Sequence, residues 1–170
     1  MYQIMKAEKL ADKIFLMDVH APRVAQHCEP GQFVIVKIDE KGERIPLTIC
    51  DYDREAGTIT IVVQEVGAST TKMGALKEGD YFRDFTGPLG CASEFVHEDI
   101  EALKKKKMLF VAGGVGAAPV YPQVKWLHER GIDADVIVGA KTKDMLILED
   151  EMKAVPGNYY PSTDDGTYGH

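Results

Sequence analysis

The chain has 170 residues, 45 % of them apolar and 28 % charged, enough for a core and a solvated surface. Twenty Lys and Arg against 27 Asp and Glu leave a net charge of −7, which argues against a nucleic-acid binder, since such proteins present a basic face. No apolar run approaches the roughly 20 residues of a membrane span, and residues 1–13 hold no apolar leader core, so neither a membrane association nor a secretory signal is expected.

Residues 2–97 read as a run of short strands. Residues 5–20 predict two strands with a turn at Ala11 and Asp12. Pro30 and Gly31 mark a turn. The apolar, β-branched stretch after it predicts a strand over residues 32–38, buried on both faces. A turn at Glu40, Lys41 and Gly42 leads into a third strand over residues 44–51, where Pro46 requires a bulge or an edge. Residues 58–63 alternate Thr and Ile before turning apolar, and they follow a turn at Glu55, Ala56 and Gly57. That pattern predicts a hairpin with the preceding strand. A short helix over residues 70–76, a turn at Gly79 and Asp80, and a strand over residues 81–85 complete the set. Strands at this spacing predict a β-barrel or a sandwich.

From about residue 98 the rhythm changes. Residues 98–107 are polar, and the run Lys104, Lys105, Lys106 and Lys107 reads as a solvated lead-in to an apolar strand over residues 108–112. Residues 119–129 have helical spacing, with Val120, Val124 and Leu127 on one face and Gly131 just past the end. Pro122 fits that helix only if it falls in the first turn. A second strand over residues 134–138 and a short helix over residues 147–152 follow. Strand and helix in alternation predict an α/β unit with a parallel sheet and right-handed crossovers. Cys28, Cys50 and Cys91 are odd in number and far apart, with no C-x-x-C pair. They predict neither a disulfide framework nor a metal site, and reduced cysteines fit a cytoplasmic protein.

Chemistry concentrates in four segments. Gly113, Gly114, Val115, Gly116, Ala117, Ala118 and Pro119 lie between an apolar strand and an amphipathic helix. Glycines there let a phosphate approach the backbone, and the helix N-terminus directs N–H groups and partial positive charge at it. The plain alternative is a tight strand–helix turn with no ligand. The spacing departs from G-x-G-x-x-G, because Pro119 replaces the third glycine. Arg44, Pro46, Leu47 and Thr48 combine a fork of donors suited to phosphate with an extended segment that offers a hydroxyl and an N–H. Alone, they read equally as surface and strand residues. Gly67, Ala68, Ser69, Thr70 and Thr71 lead into a helix, as a simple cap or as an anion site. Gly87, Pro88, Leu89 and Gly90 read as a turn or linker between the halves.

In this order the four segments resemble the ferredoxin–NADP reductase superfamily. Within it the chain is most similar to the small flavin (alpha) subunit of NADH-dependent ferredoxin:NADP oxidoreductase, also called sulfide dehydrogenase. The electron-transfer subunit of dihydroorotate dehydrogenase is a near relative. The resemblance implies an FAD-binding antiparallel β-barrel over residues 1–97 and the first part of an NAD(P)-binding α/β domain over residues 98–170. It implies that Arg44 pairs with the flavin diphosphate and that Pro46, Leu47 and Thr48 line the isoalloxazine ring. Val62, Val63 and Gln64 would run along the ribityl and adenosine side, while Gly67, Ser69 and Thr70 would close on the diphosphate. The segment from Gly113 to Pro119 would hold the nicotinamide dinucleotide, with Lys141 near the ribose or its phosphate and Asp164 and Asp165 bordering the cleft. No acid–base residue is implied. The protein supplies position and electrostatics for a hydride passed from NAD(P)H to FAD.

The resemblance implies a longer parent subunit ending in a cysteine-rich [2Fe–2S] segment. Such a cluster takes four thiolates, so this chain is expected to hold none. The expected role is electron passage between NAD(P)H and an iron–sulfur or ferredoxin-type acceptor. The alternatives are the dihydroorotate dehydrogenase electron-transfer subunit, a flavin-binding fragment without turnover, and a purely structural subunit. Expected partners are a larger flavin/iron–sulfur subunit or ferredoxin, and a shortened parallel sheet is expected to associate through its uncovered edge.

Overall fold

A computed structural model of the chain describes residues 1–155 and 157–169. Its first half holds β1 (Tyr2–Ala11), β2 (Ile14–His20), α1 (Pro22–His27), β3 (Phe33–Lys37), β4 (Ile45–Asp53) and β5 (Thr58–Gln64). α2 (Ala68–Gly74), β6 (Tyr81–Phe82) and β7 (Asp84–Leu89) follow. The seven strands form one antiparallel sheet in the order β6-β1-β2-β5-β4-β3-β7. Its two edge strands are neighbours in sequence, separated by Arg83 alone. The sheet therefore curls until β6 and β7 meet, and the barrel is nearly closed. Arg83 N–H donates to the carbonyls of Lys37 and Ile38, and the Phe82 and Phe85 rings lie 6.4 Å apart in the core.

The second half holds α3 (Ile100–Leu103), β8 (Leu109–Gly113), α4 (Ala117–His128), β9 (Asp135–Ala140), α5 (Glu149–Ala154) and β10 (Tyr159–Thr163). Its three strands form a parallel sheet in the order β10-β9-β8, as the strand–helix alternation requires. α4 lies between this sheet and the barrel. Alternation along the barrel strands sends neighbouring residues to two different cores. Phe15, Met17, Ile49, Ile61 and Val63 fill the barrel. Ile14, Leu16, Cys50 and Val62 point outward and pack with Ala117, Ala118, Tyr121, Val124 and Leu127 of α4. The halves thus share an apolar seam. Among the described residues no helix is long and apolar enough to cross a membrane.

Several elements differ from expectation. The first turn falls at Asp12 and Lys13, with Lys13 at φ 57°. β3 is not buried on both faces: Val34 and Val36 are fully buried, while Phe33 and Ile35 are half-buried on the outer face. Gly87, Pro88 and Leu89 are no linker but the end of β7, where Leu89 pairs with Phe33. A Cβ on Gly87 would meet Val34 Cγ1 at 2.8 Å, so the close approach of two strands explains that glycine. The strand expected over residues 81–85 breaks at Arg83, where the chain crosses from one sheet edge to the other. Pro122 is the sixth residue of α4, not in its first turn, because the helix starts at Ala117 after a single 3-10 turn over Gly114–Gly116. It removes the backbone bond to Ala118, and it is buried, lining a small cavity at the seam with Tyr52 and Trp126. α1 and β10 are elements that the sequence pattern did not predict.

Candidate functional site

The β4–β5 hairpin is zipped only at its turn end. The pairing runs from Asp53↔Thr58 to Ile49↔Ile61 and stops. Beyond it, Ile45 to Thr48 pair with β3 alone, and Val62 to Gln64 pair with β2 alone. Pro46, Leu47 and Thr48 therefore lie on one lip of a split, opposite Val62, Val63 and Gln64 on the other. Ile49 N–H donates to Gln32 O, so antiparallel alternation sends the main-chain groups of Pro46 and Thr48 toward the split. Pro46 has no N–H to leave unpaired there, which is how a proline sits inside a strand. Pro46 and Thr48 also turn their side chains outward. The Leu47 side chain packs against the barrel core, so its backbone is what it offers outward.

Arg44 precedes β4 at the mouth of this split. It is exposed and forms no ion pair among the described residues. The opposite lip runs on into α2. Thr70 Oγ1 accepts the N–H groups of Val66 and Gly67 at 2.9 and 3.0 Å and donates to Gly67 O, so its hydroxyl caps the helix. Ser69 Oγ donates to the Glu43 carboxylate, next to Arg44. Lys72 pairs with Asp39; that ammonium, with the Lys41 N–H, holds the Asp39 carboxyl below its usual range. Gly67 has extended backbone, and a Cβ there would meet nothing within 4 Å. Its smallness leaves open space beside the lip.

The other predicted residues gather at the carboxyl edge of the parallel sheet. Gly113 ends β8 opposite Gly139, and Lys141 and Asp164 each follow directly on the last paired residues of β9 and β10, Ala140 and Thr163. A Cβ on Gly113, Gly114 or Gly116 would meet nothing within 4 Å, so the turn presents bare backbone to open space. Only Gly114, at φ 53°, needs glycine for its own conformation. Val115 and Pro119 are half-buried; Ala117 and Ala118 are buried in the seam. The Asp164 and Asp165 N–H groups donate to Ala140 and Lys141 carbonyls, which ties the β10 loop to the β9 loop. The Asp165 carboxylate accepts from Thr167 N–H and Oγ1, and these bonds hold it below its ordinary range. Lys141 and Asp164 are exposed. The Gly114–Gly116 turn lies beside β5, so the glycine edge and the split face one region of the molecule.

No family model matches the chain. A Clostridium beijerinckii protein, described only by its place in the adh 3′ region, is 61 % identical over 99 % of this chain and 57 % of its own length. The Thermotoga maritima homolog of the dihydroorotate dehydrogenase B (NAD+) electron transfer subunit is 41 % identical over 98 % of this chain and 56 % of its own. Among solved structures, the NADH-dependent reduced ferredoxin–NADP oxidoreductase superposes with a TM-score of 0.87 at 39 % identity, over 99 % of this chain and 58 % of that one. The chain has the ferredoxin–NADP reductase-like fold. Phthalate dioxygenase reductase shares this fold at 19 % identity, with a TM-score of 0.78 over 97 % of this chain and 51 % of that one. The chain spans a little over half the length of the curated relatives it matches first. Within the ferredoxin–NADP reductase-like fold, Glu43, Cys50, Asp51 and Lys125 are residues that no sequence motif singled out. Glu43 bonds Ser69, and the others join the two halves.

Proposed function

We propose that this chain is the flavin- and NAD(P)-binding part of an electron-transfer flavoprotein subunit, with FAD in the split of the β4–β5 hairpin. The observation that carries this reading is the split itself, with backbone groups of one lip unclaimed by a neighbouring strand. Main-chain groups along an unpaired strand lip are a template for a partner, and a planar ring with polar edges supplies one. Arg44 neutralises the diphosphate, helped by the Ser69 hydroxyl and by backbone near Gly67 and Thr70. Pro46, Leu47 and Thr48 bear on the isoalloxazine ring, and Val62, Val63 and Gln64 on the ribityl and adenosine side. Residues 113–119 hold the dinucleotide through bare N–H groups and the start of α4. Lys141 reaches toward its ribose, with Asp164 and Asp165 bordering the cleft. FAD, when bound, supplies acceptance of two electrons from a nicotinamide and release of one at a time. The protein's share is orientation, charge neutralisation and exclusion of water. We take residues 1–97 as the flavin domain and residues 98–170 as part of the nucleotide domain.

On this reading the acceptor is a larger flavin/iron–sulfur subunit or ferredoxin, and the location is cytoplasmic. Any [2Fe–2S] cluster is held by residues other than these, since four thiolates are needed and the chain has three cysteines. A second reading, flavin binding without turnover of its own, is favoured by the uncovered face of the parallel sheet, where Leu109 and Val111 are 57 % and 67 % exposed. The test is FAD titration followed by addition of NADH or NADPH. Arg44→Ala removes a charge-assisted contact worth roughly 1.5–3 kcal/mol, so FAD binds about ten-fold or more weakly. Unchanged affinity returns Arg44 to an ordinary surface role. Flavin bleaching distinguishes an enzyme from a binding module. Gly113→Val fills open space at an ordinary φ of −121°, so it blocks the dinucleotide without straining the backbone.

A further inference from the structure

The pairing of β4 with β5 contains a bulge. Ile49 faces Ile61 and Asp51 faces Thr60, so Cys50 is the extra residue. Without it, alternation would point Asp51 the same way as Ile49, into the apolar barrel. The bulge resets the alternation: Ile49 fills the barrel, while Cys50 and Asp51 both face α4. Cys50 packs into the seam. Asp51 receives Lys125 Nζ on both carboxylate oxygens, at 2.8 and 3.0 Å. The pair is more than two-thirds covered, with side-chain exposures of 27 and 30 %. It borders a cavity of about 30 Å³ walled by Tyr52, Pro122, Trp126 and Glu129. The groups facing it also include Asp18, Asp53, Arg54 and Glu55 around the adjoining cleft.

The two partners sit on the two elements that carry the proposed ligand segments. β4 begins with the flavin lip, and α4 begins with the dinucleotide turn. An apolar seam resists separation but tolerates sliding, because burial is non-directional. A two-pronged ion pair has a preferred geometry and fixes the register. We propose that the Cys50 bulge and the Asp51–Lys125 pair clamp α4 to β4 in the one register that places the dinucleotide turn against the flavin lip. Asp51 and Lys125 are positioning residues for hydride transfer. This rests on the function proposed above. In that step a hydride, two electrons with one proton, leaves the reduced nicotinamide, which is oxidised, and reduces the flavin. Neither Asp51 nor Lys125 touches the reacting atoms.

Trp126 is the chain's single tryptophan, 5 % exposed, in the wall of the same cavity, so its fluorescence reads the seam without any ligand. The experiment compares the full chain with Asp51→Ala, Lys125→Ala, the double variant and Lys125→Arg. In the ligand-free protein, acrylamide quenching of Trp126 rises about two-fold or more in each alanine variant. The double variant is no worse than the singles, and Lys125→Arg stays near the parent. With FAD bound, the rate of flavin reduction at saturating dinucleotide falls about ten-fold or more, while FAD affinity and dinucleotide KM hold within about two-fold. A residue that only stabilises the fold would not split kcat from KM in this way. Unchanged quenching and rate in the alanine variants overturn the clamp. So does a rate loss that Lys125→Arg fails to restore. If the parent binds no FAD, the proposed function fails instead, and the quenching series still decides the clamp: a rise in the alanine variants upholds it and no rise overturns it.

Discussion

In the barrel, β6 and β7 meet across Arg83, and the sheet encloses its own core. In the α/β half, β8 is an edge strand, and Leu109 and Val111 face outward uncovered. The small sheet buries one face only, and it does so against α4, which leans on β2, β4 and β5. The first half is self-contained, whereas the second draws part of its stability from the first through one helix. That explains why α4 is buried on nearly all sides rather than along one stripe, with Tyr121, Pro122 and Trp126 buried as well as Val124 and Leu127.

This contrast is most exposed to core truncation. Leu127→Ala and Ile61→Ala each remove a fully buried side chain, and each is expected to cost roughly 2–5 kcal/mol. Denaturant unfolding followed by Trp126 fluorescence and by far-UV dichroism should separate them. Leu127→Ala moves the fluorescence transition to lower denaturant and leaves the barrel transition in place. Ile61→Ala moves both. Coincident transitions in Leu127→Ala would mean that the halves unfold as one unit. A smaller effect is expected at Asp99, whose carboxylate accepts the Ala102 N–H at 2.8 Å and caps α3 at the entry to the second half. Asp99→Ala should cost about 1 kcal/mol, seen in the fluorescence transition only. The smallest stability effect is at the open face. Val111→Lys should change stability by no more than about 0.5 kcal/mol and should reduce concentration-dependent association in sedimentation runs. Unchanged association would show that this face is not a contact surface.

Much of the fold was legible because local pattern and final environment agreed. Residues 58–63 read as a strand and are one, and the glycine turn led into a helix as strand–turn–helix chemistry requires. The failures have separate causes. β10 has strand-favouring tyrosines, but Pro161 interrupts its five residues, and it pairs with β9 alone, so an edge position tolerated a proline that argues against a strand. α1 is six residues long with proline at its first position and too short for any period to emerge. Its C-terminal carbonyls are gathered by Arg54, whose Nη1 donates to Ala25 and Gln26 and whose Nη2 donates to Cys28, across a distance no local pattern reports. At the candidate site, Arg44, Pro46, Leu47 and Thr48 stand out by their chemistry and residues 62–64 by resemblance. That they stand on opposite lips of an unzipped hairpin follows only from register. The Asp51–Lys125 pair spans 74 positions and needs a bulge to exist, so composition and spacing are silent about it.

The crossing at Arg83 also sets an order of assembly. The barrel joins its first strand to its sixth, Tyr2 to Phe82, so the chain must be made to about residue 89 before the sheet can curl shut. The strands that α4 leans on are made by residue 64, but they are held in a closed barrel only then, and the last residue of α4 follows roughly 2–8 s later at ordinary synthesis speeds. The apolar helix therefore emerges onto a finished surface. A change that slows barrel closure would instead release α4 and β8 as sticky, unsupported segments, and the symptom would be aggregates during expression rather than a lower melting point.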